Sequence, residues 1–169
     1  MRSVSAAIGD PEGSTGPVLD LSRRQDKFGD QVRLHHVQVS MPPGGEETTR
    51  RFYRDAVGLT EVDKPPSLAG RGGCWFRSFD DGGVNAEIHV GVDDPFMPAK
   101  KAHPALVVES VAALEAMAHR IEAGGFDLSW VDRETFEGYI RFHARDGFGN
   151  RLEVLTPHPS SSPAAVPGS

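Results

Sequence analysis

The chain has 169 residues, enough for one domain of common size, and 38% of them are hydrophobic, enough to close one core. Eighteen basic against 24 acidic side chains leave a net charge of -6, with no Lys/Arg run able to track a phosphate backbone, so nucleic acid is excluded as the expected partner. A single cysteine, Cys74, excludes an intrachain disulfide and a cysteine-rich zinc site; with no apolar run of bilayer length and no secretory leader pattern, no membrane partner is expected and the expected compartment is the cytoplasm.

Residues 1–30 are rich in Gly, Ser, Pro and charge without periodicity and read as a mobile N-terminal tail; 157–169 read as a second tail. The body is then 31–156. Residues 33–41 alternate, with Val37, Val39 and Met41 on one side and His36, Gln38 and Ser40 on the other, which predicts a half-buried strand. After the breaker Pro42–Gly45, Phe52, Tyr53, Ala56 and Val57 recur at helical spacing until Gly58, predicting a helix over 46–57. A short segment at 59–63, a strand at 73–78 and a strand at 84–92 follow, the last two joined by Asp80-Asp81-Gly82-Gly83. Cys74 reads as buried packing. Past Pro95 and Pro98 the order repeats: a strand at 102–108, a helix capped by Ser110 with Val111, Leu114, Ala118 and Ile121 as its buried stripe, and strands near 126–130, 138–145 and 150–155. Module one spans 31–93 and module two 101–156, each in the order βαβββ.

The repeat also appears in the chemistry. His36 to His103 is 67 residues and His89 to Glu153 is 64, so each module places one metal-ligating residue type on its first strand and another on its last. The helix of each module takes the apolar members of the strand alternation, leaving Glu87 and His89 in one sheet, and Tyr139, Arg141 and His143 in the other, on the opposite faces. Ionisable groups on both of those faces predict a wet concave site. Three imidazoles and one carboxylate on four strands suit one divalent metal ion, Fe, Zn, Mn, Ni or Co, with positions left open for substrate. The expected ligands are His36, His89, His103 and Glu153.

These residues resemble the vicinal oxygen chelate superfamily of lactoylglutathione lyases, epimerases, extradiol dioxygenases, fosfomycin-resistance transferases and bleomycin-binding proteins. The segments that carry the resemblance are LHHVQV (34–39), RRFYRDAVGL (50–59), AEIHVGV (86–92), AHPALVV (102–108) and RDGFGNRLEVL (145–155), in family order along the body. The resemblance implies an α+β fold of paired βαβββ modules forming a cup-shaped mixed sheet around a metal site. It carries His36, His103 and Glu153 over as ligands and puts His89 at the fourth position, where lyases and epimerases often have Glu or Gln. It implies a metal-dependent lyase, isomerase or ring-cleaving dioxygenase that chelates a small oxygen-rich molecule through two oxygens, with Glu153 moving the proton, and a homodimer. The alternative is a non-catalytic antibiotic-binding protein of the bleomycin-resistance type; relatives of that type usually lack the metal ligands.

The remaining polar residues divide. Arg141 and His143 either line the cavity wall as a hydrogen-bonded pair or bind a substrate carboxylate or phosphate; Glu87 is a general base or an exposed strand residue, and Gln38 shares the site face of the first strand. Together Arg141, His143, Glu87 and Gln38 are the expected substrate-binding set. His119, beside Arg120 on the second helix, is expected to be solvated, and Gly147-Phe148-Gly149 is a turn between strands rather than a phosphate loop.

Overall fold

In a computed structural model, which describes residues 33–160, the alternation after His36 folds as β1 (Val37–Met41). The following helix begins as α1 (Glu46–Arg50) and continues as a π-helix over Arg51–Ala56. Glu46 and Glu47 in its first turn suit the positive end of the helix dipole. The wider winding is carried by the Val57 N–H, which donates to the Phe52 carbonyl five residues back at 2.9 Å, and it leaves Phe52, Tyr53 and Ala56 all buried. Gly58, at φ 93°, takes the left-handed state that ends the element. β2 (Thr60–Val62), β3 (Cys74–Asp80) and β4 (Gly83–Val92) complete the first cycle.

The second cycle is β5 (Ala105–Val107), α2 (Val111–Ala123), β6 (Leu128–Ser129), β7 (Tyr139–Arg145) and β8 (Arg151–Pro157). Ser110 caps α2 by accepting from the Ala113 N–H at 3.2 Å. β1 starts at Val37 rather than at 33, β3 runs on to Asp80 past the expected 78, and two further ends differ for a visible reason. β5 starts at Ala105 rather than at 102, because Pro104 has no N–H to give a ladder; its carbonyl accepts instead from the Glu153 N–H at 3.1 Å. β8 runs on to Pro157, which pairs with Tyr139, so the strand enters the segment expected to be a tail. The expectations for 1–30 and for 161–169 lie outside the described residues.

The strands form two four-stranded mixed sheets, β1-β4-β3-β2 and β5-β8-β7-β6, in which the first pair of each is parallel and the rest antiparallel. This is the α+β, twice-repeated βαβββ architecture that the residue pattern predicts. Both modules feed one core, with Met41, Phe52, Tyr53, Phe76 and Ile88 from the first and Leu114, Ile121, Phe142, Leu152 and Val154 from the second. The helices meet there: Phe52 packs edge-on against Phe126 with ring centroids 4.9 Å apart, and Arg120 Nε donates to the Ala56 carbonyl at 3.1 Å. Each sheet turns its apolar face toward this core and its polar face away from it.

The turn between β7 and β8 ties the modules together. Asp146 Oδ1 accepts from the Phe148 and Asn150 N–H groups, both at 2.9 Å, and Oδ2 accepts from Asn150 Nδ2 at 2.8 Å and from Tyr53 Oη at 3.4 Å. Asn150 Nδ2 also donates to the Ser40 carbonyl in β1 at 2.7 Å. Burial pushes the Asp146 carboxyl above its ordinary value against these four hydrogen bonds. The start of β8, two residues before Glu153, is thereby fixed to β1 and to the first helix.

Candidate metal centre

The 146–150 turn sets the register of β7 and β8 so that His143 lies opposite Glu153, while β5 runs along the other side of β8 with Ala105 opposite the same glutamate. His103 stands just before β5. As a result His103, His143 and Glu153 each offer a donor atom within 4.8 Å of the others. His103 Nδ1–H donates to the Lys101 carbonyl at 2.5 Å; a carbonyl only accepts, so a ring proton sits on Nδ1, and in the neutral ring Nε2 keeps its lone pair. That Nε2 faces Glu153 Oε2 at 3.0 Å. A lone pair and a carboxylate oxygen at this separation repel unless a proton or a cation lies between them. Two donors held at right angles about 2.1 Å from one ion are themselves about 3 Å apart, so the pair fits a metal ion.

Arg141 holds the other carboxylate oxygen. Its Nη1 donates to Glu153 Oε1 at 2.7 Å, while Nε donates to the Asp132 carbonyl at 3.1 Å and Nη2 to Thr135 Oγ1 at 2.8 Å. Burial pushes the Glu153 carboxyl up, but the hydrogen bond and charge of Arg141 lead the effects that outweigh it and hold the group below the usual range. His143 Nε2 is 3.9 Å from Glu153 Oε2. Burial first, and then the charge of Arg151, lower the His143 pKa and favour the neutral ring that a metal ligand requires.

The first sheet carries a separate cluster. The β3–β4 register sets Trp75 opposite His89 and Arg77 opposite Glu87. Trp75, His89 and His36 form a stack with successive ring centroids 3.8 and 4.1 Å apart. His89 Nε2 donates to Glu87 Oε1 at 2.6 Å, and Arg77 Nε donates to Glu87 Oε2 at 2.9 Å. Burial raises the Glu87 pKa, yet these two partners bring it below the ordinary value; burial is the main reason the His89 pKa is lowered. His36 is exposed, with Nδ1 3.0 Å from His35 Nδ1, so its Nε2 has no partner among the described residues. Gln38 is exposed and its amide lies over Gly91, where an added Cβ would meet Nε2 at 3.0 Å.

The structure thus brings His103 and Glu153 together with His143, a residue that sequence reasoning assigned to substrate. It sets His36 beside His89 on the other sheet. Arg141 binds Glu153 rather than His143, and Glu87, far from being an exposed strand residue, is buried between Arg77 and His89. His119 is exposed, 3.8 Å from Glu122, as expected of a solvated side chain. The signal for His143 was present in the sequence, since counting back from the Asp146–Asn150 turn pairs it with Glu153.

Paired βαβββ modules thus carry imidazole and carboxylate donors on their sheet faces. The family model of the Glyoxalase/Bleomycin resistance protein/Dioxygenase superfamily matches residues 33–154, and the chain belongs to that superfamily. Among solved structures, a protein assigned to the glyoxalase family from Bacillus anthracis is 36% identical, with a TM-score of 0.66 over 78% of this chain and 100% of that one. The fosfomycin resistance protein FosX from Listeria monocytogenes shares the fold at 15% identity, with a TM-score of 0.57 over 77% of this chain and 94% of its own. Lactoylglutathione lyase from Agrobacterium tumefaciens does so at 18% identity, with a TM-score of 0.50 over 71% of this chain and 91% of its own. No curated protein matches the chain.

Proposed function

We propose that the protein is a metal-dependent enzyme of the glyoxalase and dioxygenase type, a lyase, isomerase or ring-cleaving dioxygenase, acting on a small oxygen-rich molecule. The observation that carries this reading is the acceptor pair of His103 Nε2 and Glu153 Oε2, facing each other at 3.0 Å with the His103 proton held elsewhere. His103, Glu153 and the adjacent His143 would hold one divalent ion, Zn, Fe, Mn, Ni or Co. Bound there, the ion would supply Lewis acidity toward two neighbouring oxygens of the substrate. Arg141 fixes Glu153 through Oε1 and leaves Oε2 free, so the same carboxylate can serve the ion or take a substrate proton. A non-catalytic antibiotic-binding protein has no use for such an acceptor pair.

The remaining ligands come, in this reading, from a second copy of the chain. His36 offers a free Nε2 on the first sheet, and the Trp75–His89 stack with Glu87 behind it holds that ring in place. Each of β1 and β5 is the edge of its sheet, and Leu34 and Val107, beside and on those edges, are 81% and 63% exposed. A homodimer that sets the first sheet of one copy against the second sheet of the other covers the edges and completes two equal sites.

The test is metal analysis of protein purified without chelator, with mass by light scattering. The wild type should carry one ion per chain as a dimer; His103→Ala and Glu153→Ala should lose most of it, while His119→Ala keeps it. Chains bearing His36→Ala, co-expressed with chains bearing Glu153→Ala, should regain metal in mixed dimers, because one of the two shared sites is then intact. Full metal in Glu153→Ala would overturn the site, and no regain in isolated mixed dimers would overturn the sharing.

A further inference from the structure

Beside the His103–His143–Glu153 cluster lies a cleft of about 320 Å³, of a size for a small organic ligand. Its lining includes Asp127, Ser129, Asp132, His143, Arg145 and Arg151. The β7–β8 register that pairs His143 with Glu153 also sets Arg145 directly opposite Arg151, two residues further along and on the same face. Like charges directly opposite on neighbouring strands weaken the pairing unless a counter-charge relieves them. Among the described residues none does: Arg145 Nη1 donates to the Gly149 carbonyl at 2.7 Å, and the Arg151 side chain has neither a hydrogen bond nor an ion pair. Asp127, just before β6, accepts from the Arg145 N–H through its carbonyl at 2.9 Å and is exposed, and Asp132 Oδ2 stands 3.8 Å from His143 Nδ1. Neither acid comes within ion-pair distance of the two guanidinium groups. Arg141, the other arginine on this face, is already committed to Glu153.

We propose that the substrate carries an oxyanion group, a carboxylate or a phosphate, and that Arg145 and Arg151 bind it in this cleft while its vicinal oxygens reach the metal cluster. The inference deepens the proposed function and rests on it for the position of the reacting end. Two residues along a strand span about 7 Å, so the anion and the chelating oxygens belong to one small molecule, separated by roughly that distance. A planar guanidinium suits either anion, since it can present two parallel N–H donors to two oxygens. The pair therefore supplies what the metal cluster lacks, a contact that fixes which way round the substrate lies.

The experiment titrates the protein as purified with inorganic phosphate and, separately, with acetate, by calorimetry. Arg151→Gln should weaken binding of at least one anion about tenfold or more and Arg145→Gln should weaken it less, while Arg54→Gln, an exposed control on the first helix, should leave it unchanged. Metal content and dimer mass should be the same in all three variants, and the melting temperature of Arg151→Gln should be equal to or above that of the wild type, because the repulsion is gone. Anion binding that is absent, or that is unaltered in both arginine variants, overturns the inference and leaves the metal reading untouched. Arginine-dependent anion binding in protein that takes up no metal overturns that reading and keeps the anion site.

Discussion

Replacing Asn150 by alanine tests whether the turn at 146–150 holds the two modules together. The substitution removes two hydrogen bonds from Nδ2, one of 2.8 Å to the Asp146 carboxylate and one of 2.7 Å to the Ser40 carbonyl. A bond to a charged acceptor contributes about 2 kcal/mol and a neutral one about 1 kcal/mol, and the Ser40 carbonyl is left without that partner where water reaches it poorly, so the loss should be about 3 kcal/mol. For a domain of this length each kcal/mol moves the midpoint by about 4 °C, which predicts a fall of about 12 °C. Tyr53→Phe removes only the longer 3.4 Å bond to the same carboxylate and should cost less than about 1 kcal/mol. The assay is thermal unfolding followed by far-ultraviolet circular dichroism at one fixed protein concentration, because the midpoint of any chain that self-associates depends on concentration. Urea unfolding should give a lower midpoint with an unchanged slope. A fall of less than about 3 °C for Asn150→Ala, or a larger one for Tyr53→Phe, would refute the reasoning.

Two further outcomes follow from groups away from that turn. Glu87, ordinarily near 4.5, is held lower in the folded state by Arg77 and His89 against the opposing effect of burial, so its stabilising contribution is complete above that ordinary value and is lost as pH falls through the lower folded one. Glu87→Gln should therefore flatten the fall in melting temperature on the acid side of about pH 5, and a pH profile parallel to the wild type would count against it. Gly73 sits at φ 83°, and a Cβ there would stand 2.3 Å from the Val90 carbonyl oxygen, a backbone atom that cannot step aside without parting β3 from β4. Gly73→Ala should cost about 3 kcal/mol in urea unfolding, and a wild-type midpoint would show that the strands yield more easily than this.

How far the fold could be read from the sequence varies with how local its cause is. The alternation of Val37, Val39 and Met41 against Gln38 and Ser40, and the Leu114–Ala118–Ile121 stripe, are periodicities that a few neighbouring residues settle; the helix formed where expected, and the strand formed over Val37–Met41, four residues after its expected start at 33. The π-winding over Arg51–Ala56 was not legible, because over six residues its buried positions coincide with those of an α-helix. Trp75 could not be assigned a face for a related reason. The β3–β4 register shifts between Ser78 and Phe79, and a shift of one residue moves every side chain before it to the other side of the sheet. β7 and β8 have no such shift, so the turn alone pairs His143 with Glu153.

The division of the candidate ligands between the two sheets has a different origin. Both modules bury the same apolar stripes whether their polar faces close on each other or each meets a second copy, so hydrophobic patterning gives the two arrangements equal weight. Polar groups fix how the two modules sit on each other. Arg120 donating to the Ala56 carbonyl, Arg51 Nη2 donating to the Gly124 carbonyl at 3.2 Å, and Asn150 donating to the Ser40 carbonyl fix the helices and turns of the two modules to one another on the apolar side. Each of these donors looks on its own like an ordinary surface arginine or turn asparagine, and its acceptor is a backbone carbonyl that every residue has. Such contacts leave no residue-type signature, whereas a histidine opposite a glutamate does. The polar residues on each sheet face were therefore open to sequence reading, and the way the two modules pack together was not, because it rests on backbone acceptors that the sequence does not mark.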